Sequence, residues 1–194
     1  LTDSEIKQIA KQDFSGSERL DKARDLFLMG CYTGLRYGDF STLTKEHFTT
    51  AIGKNGEKID VIKKLTLKTI HPVTIPVFPE TKVLINKYDE HPPEKITNQK
   101  LNEYIKEIGQ IVGLDSNVMI PVNKGGVNTE TNFKKYELIR THTARRSFAT
   151  NLHLQGFPSL EIMRITGHTT ETQFKKYIRV TNEENAVNVA AKYK

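Results

Sequence analysis

The chain has 194 residues, 37% apolar and 27% charged, which is long enough to bury a self-sufficient core and too apolar for a disordered segment. A formal net charge of +6 and a pI of about 9.3 favour polyanionic partners, nucleic acid ahead of membrane, since no basic amphipathic helix stands out. Cys31 is the single cysteine, which excludes an internal disulfide and a cysteine-based zinc site and fits a reducing cytoplasm.

No apolar run reaches the roughly 20 residues that span a bilayer, and the opening LTDSEIKQIA lacks the layout of a signal peptide, so a soluble, unexported protein is expected. Thr2 and Glu5 form a capping-box pattern, after which Ile6 and Ile9 predict a short amphipathic helix ending before Gly16. A longer helix is predicted over residues 17–32, with Leu20, Ala23, Phe27 and Cys31 on one face and Gly34 stopping it. Cys31 therefore reads as a small core residue. Arg36 falls just past that stop, in TGLRYGDF, where a tight turn fixes a side chain better than a mid-helix surface does. A second short helix near Tyr37 would carry Phe40 and Leu43 inward.

Between residues 59 and 77 the apolar period changes to two, through Ile59 and Val61, Leu65 and Leu67, then Val73, Ile75 and Val77. With turns at Asn55-Gly56 and at residues 69–72, this predicts a small antiparallel sheet with Lys68 at or near a hairpin tip. Residues 79–88 read as a helix and His91-Pro92-Pro93 as a break. Thr97 or Asn98 then caps a helix bearing Leu101, Ile105, Ile108 and Val112, closed by Gly113. Residues 115–128, with Pro121 and Gly125-Gly126, read as loop, and helices are expected over residues 133–139, 141–155 and 160–166.

The chemistry gathers in two late stretches. In THTARRSFAT, His142 and Arg145 stand three apart, so on a helix both project from one face and reach a single phosphate. In GHTTETQFKKY, His168 follows a helix-ending glycine, and Tyr177 comes after an interval that allows a turn and a new helix to return the phenol to the imidazole. A phosphodiester is anionic, and its pentacoordinate transition state places more charge on the non-bridging oxygens, which arginine forks from Arg36 and Arg145 would clamp. A tyrosine hydroxyl, with an ordinary pKa of about 10, needs a positive field and a proton acceptor to attack near neutral pH. The departing 5′ oxygen needs a proton, and Lys68 is placed to give one.

The basic pairs Lys63-Lys64, Lys134-Lys135, Arg145-Arg146 and Lys175-Lys176 would neutralise backbone phosphates if they share a face. His71 and His153 read as structural or exposed. No HExxH or paired-cysteine motif supports zinc, and no carboxylate cluster supports two-metal nuclease chemistry.

In order and spacing, TGLRYGDF, LKTIHPVTIP, HTARRSFAT and GHTTETQFKKY resemble the signature boxes of the tyrosine recombinase or phage integrase family, across essentially the whole chain and closest to integrases of bacterial mobile elements. The resemblance implies an α+β catalytic domain, mainly helical, with a small antiparallel sheet at one edge. It implies that Arg36 is the first catalytic arginine, Lys68 the hairpin lysine, His142 and Arg145 the HxxR pair, His168 the late histidine and Tyr177 the nucleophile that becomes 3′-phosphotyrosyl-linked to DNA. Asp39 resembles a buttress for that site, while the division of roles between His142 and His168 stays open.

The implied function is site-specific integration or excision of a mobile element, needing no metal, ATP or other cofactor. The implied partners are double-stranded DNA and three further copies in a homo-tetramer on paired sites, with accessory DNA-bending proteins and no membrane, in a bacterial cytoplasm. Leu1 falls where such a domain starts, so residues 1–194 are expected to be a fragment of a longer chain lacking its N-terminal core-binding domain. Residues 178–194, with Ala186, Val187, Val189 and Ala190 in a short apolar pattern, are expected to form a docking tail.

Two rival readings share some of these features. A type IB topoisomerase uses a similar residue set but relaxes supercoils as a monomer, and the short His168-to-Tyr177 interval favours the recombinase. A non-cleaving DNA-binding module would keep the fold and basic face, and the presence of all six candidate residues argues against it.

Overall fold

The computed structural model describes residues 1–124, 127–178, 180 and 182–192. Helix α1 (Asp3–Lys11) begins in the capping box read from the sequence: the Thr2 hydroxyl accepts the Glu5 backbone N–H, and the Glu5 carboxylate accepts the Thr2 N–H. Helix α2 (Glu18–Thr33) is the central member of the core, buried through Leu20, Ala23, Leu26, Phe27, Met29 and Cys31 and packed by helices on several sides.

It ends at Gly34, where φ is +66°, and a Cβ there would lie 2.3 Å from Phe148 Cδ1, so no side chain fits. The chain then turns through Arg36, in extended backbone, into the short helix α3 (Tyr37–Phe40). Phe40 and Leu43 point inward as expected.

Strands β1 (Phe48–Ile52), β2 (Lys58–Leu65) and β3 (Pro72–Pro76) form an antiparallel sheet in that order, with Phe48 opposite Ile62 and Ile62 opposite Ile75. Strand β1 was not anticipated, because FTTAI offers only Phe48 and Ala51 to the interior, each half-buried. The phase at the far end of β2 also differs from expectation. Thr66 is buried while Leu65 and Leu67 are 57% and 63% exposed, because the inward face set by Ile62 reaches Thr66 two steps at a time.

Helices α4 (Pro79–Asn86) and α5 (Asn98–Ile111, capped by the Thr97 hydroxyl) match the sequence reading. The loop expected over residues 115–128 does not exist as such. Strands β4 (Asn117–Lys124) and β5 (Val127–Lys134) pair antiparallel from Asn117 opposite Lys134 to Lys124 opposite Val127, and Gly125 and Gly126 lie outside the described residues. Pro121 argued against a strand, but in a two-stranded ribbon every strand is an edge, where proline is tolerated. The helix expected over residues 133–139 is likewise corrected: Phe133 belongs to β5, and only a 3-10 turn over Lys135–Leu138 follows.

Helix α6 (Thr141–Leu154) is docked at its start by α5, where Asn102 Oδ1 accepts the Thr141 N–H at 2.8 Å and Asn98 Oδ1 accepts the Thr141 hydroxyl at 2.9 Å. Helix α7 (Ser159–Thr166) ends at Gly167, also left-handed at φ +69°. Helices α8 (Glu171–Lys175) and α9 (Asn182–Lys192) complete the described residues. Phe148, Ala149, Leu152, Ile162, Met163 and Phe174 form a second apolar cluster that locks α6, α7 and α8 together.

Candidate active site

Arg145 lies on the inner face of α6 and is 1% exposed. Its Nη1 donates to the Gly34 carbonyl at 2.8 Å, so the turn that ends α2 anchors a side chain 111 residues later. Its Nη2 lies 3.1 Å from His168 Nε2. Burial and the neighbouring Arg36 pull the Arg145 pKa down, with Tyr177 and Asp39 opposing, and the guanidinium stays charged. Arg145 Nε and Arg36 Nη1 are both buried, and neither has a hydrogen-bond partner among the described residues. Two neighbouring arginines, each with an unpaired donor, concentrate positive charge of the kind an anion would satisfy.

His168 follows the left-handed Gly167, and its backbone N–H closes on the Met163 carbonyl, which turns the ring back over α7. The ring is sandwiched edge-on by Phe174 and Tyr177, at centroid distances of 5.5 and 4.5 Å. Burial, then the charges of Arg145 and Arg36, push its pKa down to about 3, so the imidazole is neutral at pH 7.

Tyr177 follows α8, its backbone N–H bonded to the Phe174 carbonyl at 2.8 Å. Its ring meets the His142 ring edge-on at 5.0 Å, and the guanidinium carbons of Arg145 and Arg146 lie 5.5 and 5.8 Å from its centroid. His142 is open to solvent on one side. Its pKa is lowered first by partial burial, then by Arg146, Arg145, Arg36 and Lys68, all of which are therefore near enough to act on it.

Lys68 is exposed in the turn between β2 and β3, as the sequence suggested. Asp39, 1% exposed on α3, accepts the Leu67 backbone N–H at 2.8 Å. Arg36, Lys68, His142, Arg145, His168 and Tyr177 thus share one neighbourhood, with Asp39 behind it.

The additional basic residues divide. Arg146 stands beside Tyr177, and Lys176 and Lys63 are exposed. Lys64 instead turns to the Thr42 carbonyl at 3.2 Å and His47 Nε2 at 3.1 Å. Lys135 is bound to Glu5, and Lys175 pairs with Glu171 at 3.6 Å. Lys134 starts the 3-10 turn, with its backbone N–H on the Glu137 carboxylate. Two contributors escaped the sequence reading: the Gly34 carbonyl, which has no side-chain signature, and Thr166, whose hydroxyl lies 2.7 Å from His168 Nδ1. A hydroxyl two residues before the histidine was the available signal.

The model of the phage integrase family matches residues 1–184. The chain belongs to the phage integrase family. Its fold is that of tyrosine recombinase catalytic domains. The solved XerA recombinase superposes with a TM-score of 0.66 at 15% identity, covering 100% of this chain and 65% of that one. A XerH site-specific recombinase bound to palindromic difH substrate, in a post-cleavage complex, gives 0.57 at 18% identity, covering 91% and 48%. A lambda integrase dimer bound to a COC′ core site gives 0.57 at 17% identity, covering 92% and 58%. This phage integrase family chain therefore spans less than two thirds of the length of each. No curated protein sequence matches it. Among the described residues no helix is long and apolar enough to cross a membrane.

Proposed function

We propose that this integrase-family domain breaks and rejoins duplex DNA at specific sites, through a covalent 3′-phosphotyrosyl intermediate on Tyr177. The observation that carries the reading is the convergence of Arg36 and Arg145, each with a buried donor left unpaired, on the neighbourhood of the Tyr177 ring. In this reading the Tyr177 oxygen attacks the scissile phosphorus and its proton passes to His142, whose lowered pKa keeps it neutral and able to accept. The bond to the 5′ oxygen breaks, and Lys68 protonates that leaving group. Arg36 and Arg145 hold the non-bridging oxygens as charge builds on them.

Reversal by the 5′ hydroxyl of another strand rejoins the DNA, so the bond energy is conserved without ATP, and the two arginines take the place of metal. Duplex DNA is the partner, and four copies on paired sites, with DNA-bending accessory proteins where the site requires them, are the working assembly. Residues 1–194 act as the catalytic domain. Residues 178–194, in which α9 exposes Val187 and Val189 at 66% and 48%, serve as a docking tail, in cis or on a neighbouring copy.

The test is a nicked suicide duplex carrying candidate element ends, incubated with the protein and separated under denaturing conditions. A covalent adduct is expected with the wild type and none with Tyr177→Phe, which should bind DNA near normally. Absence of an adduct from native protein that binds the duplex would favour a non-cleaving binder. Relaxation of plasmid without paired sites would favour a topoisomerase.

A further inference from the structure

Leu67, Lys68, Thr69 and Ile70 form the tip of the hairpin between β2 and β3, and the base of that tip is fixed on several sides. The Thr66 N–H donates to the His71 carbonyl at 3.0 Å, and the Ile70 N–H returns to the Thr66 carbonyl at 3.0 Å. The buried Thr66 hydroxyl meets the Thr69 hydroxyl at 2.8 Å and the His71 N–H at 3.1 Å, while Asp39 holds the Leu67 N–H. Ile70 stands on this platform at a backbone φ of +48°, the one β-branched residue with a positive φ among the described residues. That conformation crowds the Cβ of any L-residue, and a branched one most. The Ile70 side chain is 75% exposed, more than any other large apolar residue among those described, so burial within the chain does not offset the strain. A strained isoleucine held outward is explained by a contact made from outside the chain.

Lys68 lies two residues earlier in the same tip, exposed and near enough to His142 to act on its charge. The occupant of the tip must therefore offer an apolar surface close beside an anionic group, because a purely apolar partner would bury the Lys68 ammonium unpaired. Duplex DNA has both, a stacked base step and the phosphates that flank it, and the exposed Leu67 beside Lys68 widens the apolar edge. We propose that Ile70 is a specificity-determining wedge: it enters between two stacked base pairs next to the phosphate that Tyr177 attacks, so that strand breakage favours a base step that opens easily. Aliphatic side chains that part base steps enter from the minor groove, and pyrimidine–purine steps such as TA and CA open most readily. The position of the wedge rests on the proposed DNA breakage, whereas insertion itself occurs on binding and needs no cleavage.

The experiment uses duplexes of the candidate element ends in which 2-aminopurine, whose fluorescence rises on unstacking, replaces adenine at successive positions. Each duplex is bound by Tyr177→Phe and by Tyr177→Phe combined with Ile70→Gly, so that no cleavage intervenes. One position should brighten with the first protein and stay dark with the second. Ile70→Gly alone is then measured for melting temperature and for adduct formation on the suicide duplex. Its melting temperature should rise by about 1–4 °C, since glycine takes the left-handed backbone without strain. Its rate of adduct formation should nevertheless fall about 10- to 100-fold, the range that one base pair commands in specific recognition. A mismatch placed at the brightened step, which is then already part open, should restore most of the loss.

No brightened position in duplexes that Tyr177→Phe binds would overturn the wedge, as would an Ile70→Gly protein that brightens the duplex and cleaves like wild type. Loss of self-association in Ile70→Gly, with brightening unchanged, would overturn it in favour of a contact with a second copy. If Ile70→Gly fails to fold, the scan with Tyr177→Phe still decides insertion, and Ile70→Asn, which also tolerates the left-handed backbone, takes its place. Brightening at one position by a wild-type protein that forms no adduct would support the wedge and overturn the proposed reaction instead.

Discussion

Asp39 accepts the backbone N–H of Leu67 at 2.8 Å, so the residue next to Lys68 is pinned to the short helix that starts beyond Arg36. One buried carboxylate thereby ties the hairpin to the arginine end of the site. Asp39→Ala leaves that N–H unpartnered, with an expected stability cost of about 1–3 kcal/mol, and frees the hairpin. Cleavage should slow by up to about 100-fold, the lower range for a general acid, with duplex binding retained in a gel shift. Asp39→Asn keeps an acceptor oxygen and should recover much of the rate. A substrate with sulfur at the bridging 5′ position, whose thiolate leaves without a proton, should shrink the alanine defect.

Arg145→Lys tests the guanidinium geometry. A lysine amine cannot reach the Gly34 carbonyl and His168 Nε2 while offering a third donor inward, as Arg145 does. Single-turnover adduct formation should fall by about 100-fold or more, on the scale of losing one transition-state donor. A lysine variant within a few-fold of wild type would show that charge alone suffices.

Gly34→Ala is expected to damage stability more than an ordinary turn substitution. The left-handed φ of +66° costs about 1–2 kcal/mol for an alanine. Its Cβ would also meet the Phe148 ring at 2.3 Å and push the Arg145 acceptor away. The melting temperature should drop by several degrees, with cleavage reduced even in the cold, where the variant is folded.

The neutral His168 makes stability depend on pH. Its pKa is about 3 when folded, owing to burial and then Arg145, Arg36 and His142, and near 6.5 when unfolded. Between these values the unfolded chain binds more protons. The contribution is complete above about 6.5 and is lost as pH falls toward about 3. Urea unfolding of wild type should weaken between about pH 6 and 4 more steeply than that of His168→Gln, by up to about 1.4 kcal/mol per pH unit. Equal slopes would show that the ring charges freely in the native state. His142, shifted the same way, should keep the acid limb of cleavage below about pH 6.5.

The helices were legible because their stops are local: Gly34 and Gly167 both adopt the left-handed turn that the sequence suggested. That the six candidate residues share one neighbourhood was legible through motif spacing, although nothing local says that residues 34 and 145 touch. The β4–β5 ribbon was hidden by Pro121, and the inward phase of β2 by Leu65 and Leu67, whose hydrophobicity argued for burial the sheet does not provide. Thr166 was missed because its hydroxyl meets the His168 ring only through the left-handed turn at Gly167, which no side-chain pattern announces.

The bond from Arg145 to the Gly34 carbonyl joins parts of the chain 111 residues apart. During synthesis the early turn leaves the ribosome long before its arginine is made, and Tyr177 emerges later still. A nascent or prematurely terminated polypeptide therefore has no assembled candidate site until the last third of these 194 residues has folded onto the first.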